Sequence, residues 1–155
     1  MSIDTDRMER IAELAGARRL RVVTSESLTS GTVAKWMGAG PNAADWFGGG
    51  VIAYHERVKF DVLGVDEGPV VTESCAAQMA RGAVDLLRAD LAVSCTGVGG
   101  PDPSEGKPPG TVFIAVATAT DVVIRELALD GSPEEILEQT ASACTALVEE
   151  TLADG

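Results

Sequence analysis

One histidine, His55, in 155 residues leaves the usual general base nearly absent, so a hydroxyl nucleophile would draw more economically on a lysine. Only three cysteines occur, Cys75, Cys95 and Cys144, and they carry no metal-like spacing. Each falls inside an apolar pattern and reads as a buried, reduced thiol of a cytoplasmic protein. Cations are few, 12 lysines and arginines against 24 acidic residues, so a polyanion is repelled at long range and nucleic acid is not expected as a partner. No apolar run approaches the roughly 20 residues of a membrane helix, and the charged segment 1–10 reads as the lead-in to a helix rather than a signal peptide. Neither a metal nor a cofactor is implied.

What is present is enough apolar material, 45% of residues, to fill one core, with no repeat, linker or composition shift to divide it. Met8, Ile11, Ala12 and Ala15 follow helical spacing, and a strand pattern begins after 18–21 with Leu20, Val22 and Val23. A second helix is expected over 29–37, ended by Gly38-Ala39-Gly40-Pro41. Gly48-Gly49-Gly50 then leads into a short strand, Val51-Ile52-Ala53-Tyr54, and a brief helix carrying Lys59 and Leu63. Ala76, Met79, Ala80, Ala83, Val84 and Leu87 share one helix face, with Thr72 as cap. Leu91-Ala92-Val93 reads as a buried strand. Segments 112–117 and 122–129 are separated too briefly for a parallel crossover and are expected to pair antiparallel. Ser132-Pro133-Glu134-Glu135 opens a last helix through a capping box, with Ile136, Thr140, Ala143, Leu147 and Thr151 expected to face the sheet. The sum is an α/β fold: a three-layer α/β/α single domain over 1–155 with a mixed, mainly parallel sheet.

Chemistry concentrates at Thr24-Ser25-Glu26-Ser27-Leu28-Thr29-Ser30-Gly31, where an apolar strand ends in hydroxyls and a carboxylate before a helix. Such a turn sets a side-chain hydroxyl beside free backbone N–H groups. Tyr54-His55-Glu56-Arg57-Val58-Lys59 puts a lysine in a similar position after another strand, and together they suggest a Ser27 nucleophile with a Lys59 base. Lys59 must then lose its proton near neutrality, which costs about 4 kcal/mol against its ordinary pKa unless burial supplies the shift. Glu56, on the same helical face, opposes that shift. The alternatives are a capping hydroxyl for Ser27, with Thr29 and Ser30 as rival caps, and a solvated amine for Lys59. Glu26 either orients a ligand or bonds backbone N–H groups in the turn, and His55 reads as structural.

The loop Thr96-Gly97-Val98-Gly99-Gly100-Pro101-Asp102 lets backbone N–H groups approach an anion, but it lacks the third glycine and helix start of a dinucleotide fingerprint. Gly106-Lys107 is likewise no P-loop, because prolines stand at two required positions. Ser104-Glu105-Gly106-Lys107 satisfies a serine-x-x-lysine string that works only on a helix turn, and the surrounding prolines make the match coincidental. Lys107 could still approach a phosphate from a ligand-facing loop.

At these residues the chain resembles the CinA C-terminal family, whose characterised enzymatic members are nicotinamide mononucleotide deamidases of the PncC type. The matching blocks, in order, are Glu26-Ser27-x-Thr29-x-Gly31; Gly50-Val51 through Tyr54 to Lys59 and Leu63-Gly64-Val65; Thr96-Gly97-x-x-Gly100-Pro101; and Lys107-Pro108-x-Gly110-Thr111-Val112. The resemblance implies a Ser/Lys amidohydrolase with Ser27 as nucleophile and Lys59 as base, no metal, a small nucleotide as substrate and a homo-oligomer, dimer first. Tyr54 then either relays a proton or packs at the strand end. Substrate contacts are expected from Glu26, Thr29, Ser30, Gly31, Thr96, Gly97, Gly100 and Lys107, and the oxyanion would be held by N–H groups of the 29–31 turn or the 97–100 loop. Departures from the family pattern are Leu28 for a cysteine, Ser30 for a glycine, His55-Glu56 for Ser-Asn, and Ser132-Pro133 where Asp-Arg is common. A catalytically inactive CinA-like module that binds a nucleotide or a protein is the alternative reading.

Overall fold

The computed structural model describes residues 3–155; Met1 and Ser2, which open the charged lead-in, lie outside the described residues. The expected helix forms as α1 (Thr5–Ala17), capped by Asp4 and burying Met8, Ile11, Ala12 and Ala15. It leads to β1 (Val22–Glu26), buried throughout. The next helix, α2 (Thr32–Gly38), starts later than 29 because Ser30 and Gly31 adopt left-handed backbone, φ 50° and 101°, which keeps 27–31 as a turn. A short α3 (Ala43–Trp46), not expected from the sequence, precedes β2 (Phe47–Ile52).

The strand β2 therefore contains the glycines that looked like a lead-in to it. Close packing explains this, since a Cβ on Gly50 would lie 2.1 Å from Thr24 Oγ1 of β1. Next come α4 (Glu56–Asp61), α5 (Glu73–Leu87) and β3 (Leu91–Gly97). Thr72 caps α5, as its position before the apolar stripe indicated. The antiparallel pair is β4 (Thr111–Thr118) and β5 (Val122–Ala128). Last is α6 (Pro133–Asp154), opened by the Ser132/Glu135 capping box. Its buried stripe runs through Ile136, Thr140, Cys144, Leu147 and Val148, so Ala143 and Thr151 flank the face rather than form it.

The five strands make one mixed sheet in the order β2-β1-β3-β4-β5. β1 pairs parallel with β2 and β3, β4 runs antiparallel to β3, and β5 reverses again, so β4 alone opposes the common direction. Side-chain alternation sends Val22, Leu91, Val93 and Ile114 to a core shared with Ile11, Met37, Ile136 and Leu147 of α1, α2 and α6. Val23 and Ala92 pack on the other face against Met79 and Ala83 of α5, joined by Leu63 and Val65 beyond α4. No helix among the described residues is long and apolar enough to cross a membrane.

The arrangement β2-β1-β3 places a topological switch point beside β1. The connection leaving β1 passes through α2 and α3 to β2, whereas the chain returns through α4 and α5 to β3 on the opposite side of β1. A crevice opens outside the carboxyl ends of strands at such a point. Gly50→Ala tests the packing beneath it: Thr24 is fully buried and bonds Glu26, so it cannot yield freely. The substitution is expected to lower unfolding stability by about 1–3 kcal/mol in urea denaturation, with an unchanged m-value.

Candidate active site

A cavity of about 530 Å³ occupies the crevice. Its lining comes from the residues after β1 (Ser27, Leu28, Ser30), after β2 (Tyr54, His55, Glu56, Lys59) and at the end of β3 (Thr96, Gly97, Gly99, Gly100). Val70, Val71 and Ser104, with Pro133 and Leu137 of α6, complete the wall.

The turn that carries Ser27 is built around a buried carboxylate. Glu26 accepts from the Thr29 hydroxyl at 2.7 Å, the Thr24 hydroxyl at 3.1 Å, and the N–H groups of Gly31, Val33 and Ala34 at 3.2, 2.9 and 2.9 Å. It thereby caps α2 from a distance, where its N-cap residue, Gly31, has no side chain to do so. Glu26 and Thr29 are buried, and neither they nor Gly31 reach the cavity wall. Of the two roles open to Glu26, bonding the turn is the one observed, because its oxygens are consumed by internal donors. Thr29 is likewise a positioning residue, its hydroxyl lying against Glu26 and 3.1 Å from Cys95 Sγ.

Lys59 enters from α4, on the α5 side of the sheet, and is one of the largest fully buried side chains at 2% exposure. Its Nζ lies 2.9 Å from Ser27 Oγ and donates to the carbonyls of Ala53 at 2.7 Å and Tyr54 at 3.2 Å. Residues 32 positions apart in sequence thus meet at the cavity floor. Burial lowers the Lys59 pKa from its ordinary value, while Cys75, Cys95, Glu56 and Glu105 act in the opposite direction. Cys75 is itself pushed up to about 11 by burial, so at neutral pH it is an uncharged thiol and its pull on Lys59 is dormant.

The other expected site residues divide. Ser30, Thr96, Gly97 and Gly100 do line the cavity. The Thr96 hydroxyl, however, donates to the Val70 carbonyl at 2.7 Å and so positions the 70–71 wall. Tyr54 touches Lys59 through its carbonyl, and the residue is 67% exposed beyond the end of β2, so it is not a packed strand-end residue. His55 caps α4, its Nδ1 accepting from the Arg57 N–H at 3.0 Å. Lys107 does not line the cavity: its N–H and carbonyl pair with those of Ser104 across a tight bridge, from which only Ser104 reaches the wall. The same bridge shows that the serine-x-x-lysine string is not on a helix.

For an oxyanion, the turn after Ser27 keeps the N–H groups of Leu28 and Thr29, which donate to no other group among the described residues, and Leu28 lines the cavity; the next three are taken. The N–H of Ser30 bonds the Ser27 carbonyl, that of Gly31 bonds Glu26, and that of Thr32 bonds the Thr29 carbonyl. Gly99 and Gly100 line the cavity, and their N–H groups donate to no other group among the described residues. Sequence reasoning did not reach Val70, Val71, Pro133 and Leu137 as wall residues. The capping box located the start of α6 without revealing what that end of the helix faces. Cys75, Cys95 and Cys144 are buried and unbridged, and no cluster able to hold a metal ion occurs among the described residues.

Comparison with known proteins gives a match to the family model of the CinA C-terminal domain over residues 4–152. A Bacillus cereus (strain B4264) protein with the provisional name of competence-damage inducible protein is 39% identical over 135 residues, 83% of this chain and 33% of its own. A Geobacillus kaustophilus protein named in the same way is 38% identical over 158 residues, 97% of this chain and 37% of its own. The chain therefore spans about a third of the length of these curated relatives. Among solved structures, a CinA superfamily protein from Klebsiella pneumoniae superposes with a TM-score of 0.92 at 29% identity, covering 97% of this chain and 98% of that one. One from Escherichia coli gives 0.89 at 28%, covering 96% and 93%.

The lowered Lys59 pKa has a consequence for stability. Unfolded, the side chain keeps its proton up to about 10.5; folded, it releases it at lower pH. Between the two values the unfolded chain binds more protons, so this residue's contribution to stability rises with pH. In denaturant titrations, the unfolding free energy of the wild type relative to Lys59→Met is expected to shift in favour of the wild type as pH is raised from neutral toward 10.5. A flat difference contradicts a buried amine.

Proposed function

We propose that this chain, which belongs to the CinA C-terminal domain family, is a serine/lysine amidohydrolase. Its substrate in this reading is nicotinamide mononucleotide, whose carboxamide loses ammonia to leave nicotinate mononucleotide, a step of pyridine-nucleotide salvage. The observation that supports the reading is the 2.9 Å approach of a buried Lys59 Nζ to Ser27 Oγ at the floor of a cavity. A surface lysine has no reason to be there. Burial favours the uncharged amine, which has two N–H bonds and one lone pair. The carbonyls of Ala53 and Tyr54 accept the two N–H bonds, leaving the lone pair for the Ser27 hydroxyl proton.

In the forward step, Ser27 Oγ attacks the carboxamide carbon as its proton passes to Lys59 Nζ. The carbonyl oxygen becomes an oxyanion, for which the N–H groups of Leu28, Gly99 and Gly100, which donate to no other group among the described residues, are candidate wall donors. Collapse breaks the C–N bond, and Lys59 returns the proton to the departing nitrogen, which leaves as ammonia. Water then attacks the Ser27 ester with Lys59 again taking a proton, and cleavage of the ester bond frees the carboxylate and restores the serine.

A binding module without turnover is the second reading. It is favoured by the exposed apolar surface of Ile52 and Tyr54 at the end of β2.

Ammonia release from millimolar nicotinamide mononucleotide separates the two. The wild type is expected to be active, Ser27→Ala to be silent, and Lys59→Ala to be slowed by about a hundredfold to ten-thousandfold, with circular dichroism unchanged. The kcat/KM of the wild type is expected to rise with pH and to level off below the ordinary lysine value of 10.5, as Lys59 loses its proton. Wild-type silence, or variants as active as wild type, rejects catalysis in favour of binding.

A further inference from the structure

Between β3 and β4 the chain makes a loop, residues 98–110, that carries Gly99, Gly100 and Ser104 onto the cavity wall. Its base is secured by main-chain bonds among Val98, Gly110, Thr111 and Leu129. From Gly99 to Pro103, by contrast, the main chain makes no hydrogen bond among the described residues, and Pro101 and Pro103 have no N–H to give. This stretch holds two of the candidate oxyanion donors, so their position depends on what fixes its ends.

The far end is fixed by Glu105. Ser104 and Lys107 exchange N–H to carbonyl bonds of 3.0 and 2.8 Å around Glu105 and Gly106, both of which have left-handed backbone, φ 50° and 74°. Positive φ at both central residues is the pattern of a type I′ turn, where asparagine, aspartate or glycine sits with less strain than glutamate. The longer side chain has a use. Although the residue is exposed, both carboxylate oxygens are engaged, one accepting from the Val70 N–H at 2.8 Å and the other from the Val71 N–H at 2.9 Å. Val70 and Val71 line the cavity from the connection between α4 and α5, outside helix and sheet. The Val70 carbonyl accepts from the Thr96 hydroxyl at 2.7 Å, and Val71 packs in the cluster of Ala76, Ala80 and Phe113. Glu105 is thus the piece that joins two separate parts of the wall.

Resting on the amidohydrolase reading above, we infer that Glu105 is a positioning residue for the reaction: its carboxylate latches the loop tip to residues 70–71, which closes the wall and holds Gly99 and Gly100 where the oxyanion forms. The same carboxylate acts on the base. With Glu56 of α4, Cys75 of α5 and Cys95 of β3, it opposes the lowering of the Lys59 pKa by burial, while Tyr54 and His55 stand on the same wall. Removing its charge therefore eases loss of the Lys59 proton, whereas merely opening the wall would hydrate the amine and hold the proton more firmly.

Steady-state deamidation of nicotinamide mononucleotide, together with amide hydrogen exchange, tests the latch in the full chain. Glu105→Asp suits the turn but falls a methylene short of Val70 and Val71. It is expected to melt close to the wild type, to lose about tenfold or more in kcat with KM raised by no more than about threefold, and to exchange the Val70 and Val71 amides about tenfold faster. Glu105→Gln keeps one acceptor oxygen. Its kcat is expected to fall by only about two- to fourfold, and its rise of kcat/KM with pH to move to lower pH. An aspartate variant as active as the wild type, or with the two amides equally protected, overturns the inference and leaves the hydrolase reading standing. A rise displaced to higher pH in Glu105→Gln, or a loss of activity that only follows a lowered melting temperature, also overturns it, since either marks a purely structural role. A wild type that releases no ammonia sinks the hydrolase reading, and exchange at Val70 and Val71 then upholds or overturns the latch by itself.

Discussion

A primary amine taken out of water is the constraint around which this site is organised. Leaving Lys59 charged in the interior without compensation would cost several kcal/mol, and the fold answers with three acceptors within hydrogen-bond reach. Two of these are main-chain carbonyls that cannot leave without disrupting the exit from β2. The third is the Ser27 hydroxyl, the one partner able to give as well as accept a proton. Burial that destabilises the ammonium and geometry that aims the amine at a hydroxyl are thus a single arrangement, and the chemistry proposed follows from both together.

That arrangement holds only if Ser27 stays in place, which is the work of Glu26. Five donors converge on its carboxylate, from β1, the turn and the first turn of α2, so the strand end and the helix start are joined through one side chain. Its neighbour along the chain then has little freedom. The Ser27 N–H bonds the Cys95 carbonyl of β3, and the Ala53 N–H bonds the Glu26 carbonyl, which ties all three parallel strand ends together. The nucleophile stands at the junction of these ties, and the switch in strand order supplies the open space above it.

Much of this could be read along the chain. The stripe of α5, the capping box of α6 and the antiparallel β4–β5 pair depend on neighbours close in sequence, and all three occur where local spacing puts them. Boundaries were less legible where a distant contact decides them. β2 runs through its glycines because Thr24 of the neighbouring strand lies against Gly50, and α2 begins late because Ser30 and Gly31 take left-handed backbone, with Glu26 holding its first N–H groups. The same limit applied to the site. Ser27 and Lys59 stood out by residue type, but Glu26 and Thr29 turned inward and Lys107 away, according to partners that spacing does not name.

By itself the sequence determined the residue types available for chemistry, the paired hydroxyl and amine with almost no histidine, and the run of helices and strands that its local periodicities impose. Only the tertiary structure decided that Nζ and Oγ meet, that the carboxylate beside the serine faces the helix rather than the cavity, and that an apolar end of α6 forms the opposite wall. The physical reason is that burial and hydrogen bonding between distant segments depend on strand order. The crossing of β1 between β2 and β3 is a property of the whole sheet, and no local pattern encodes it.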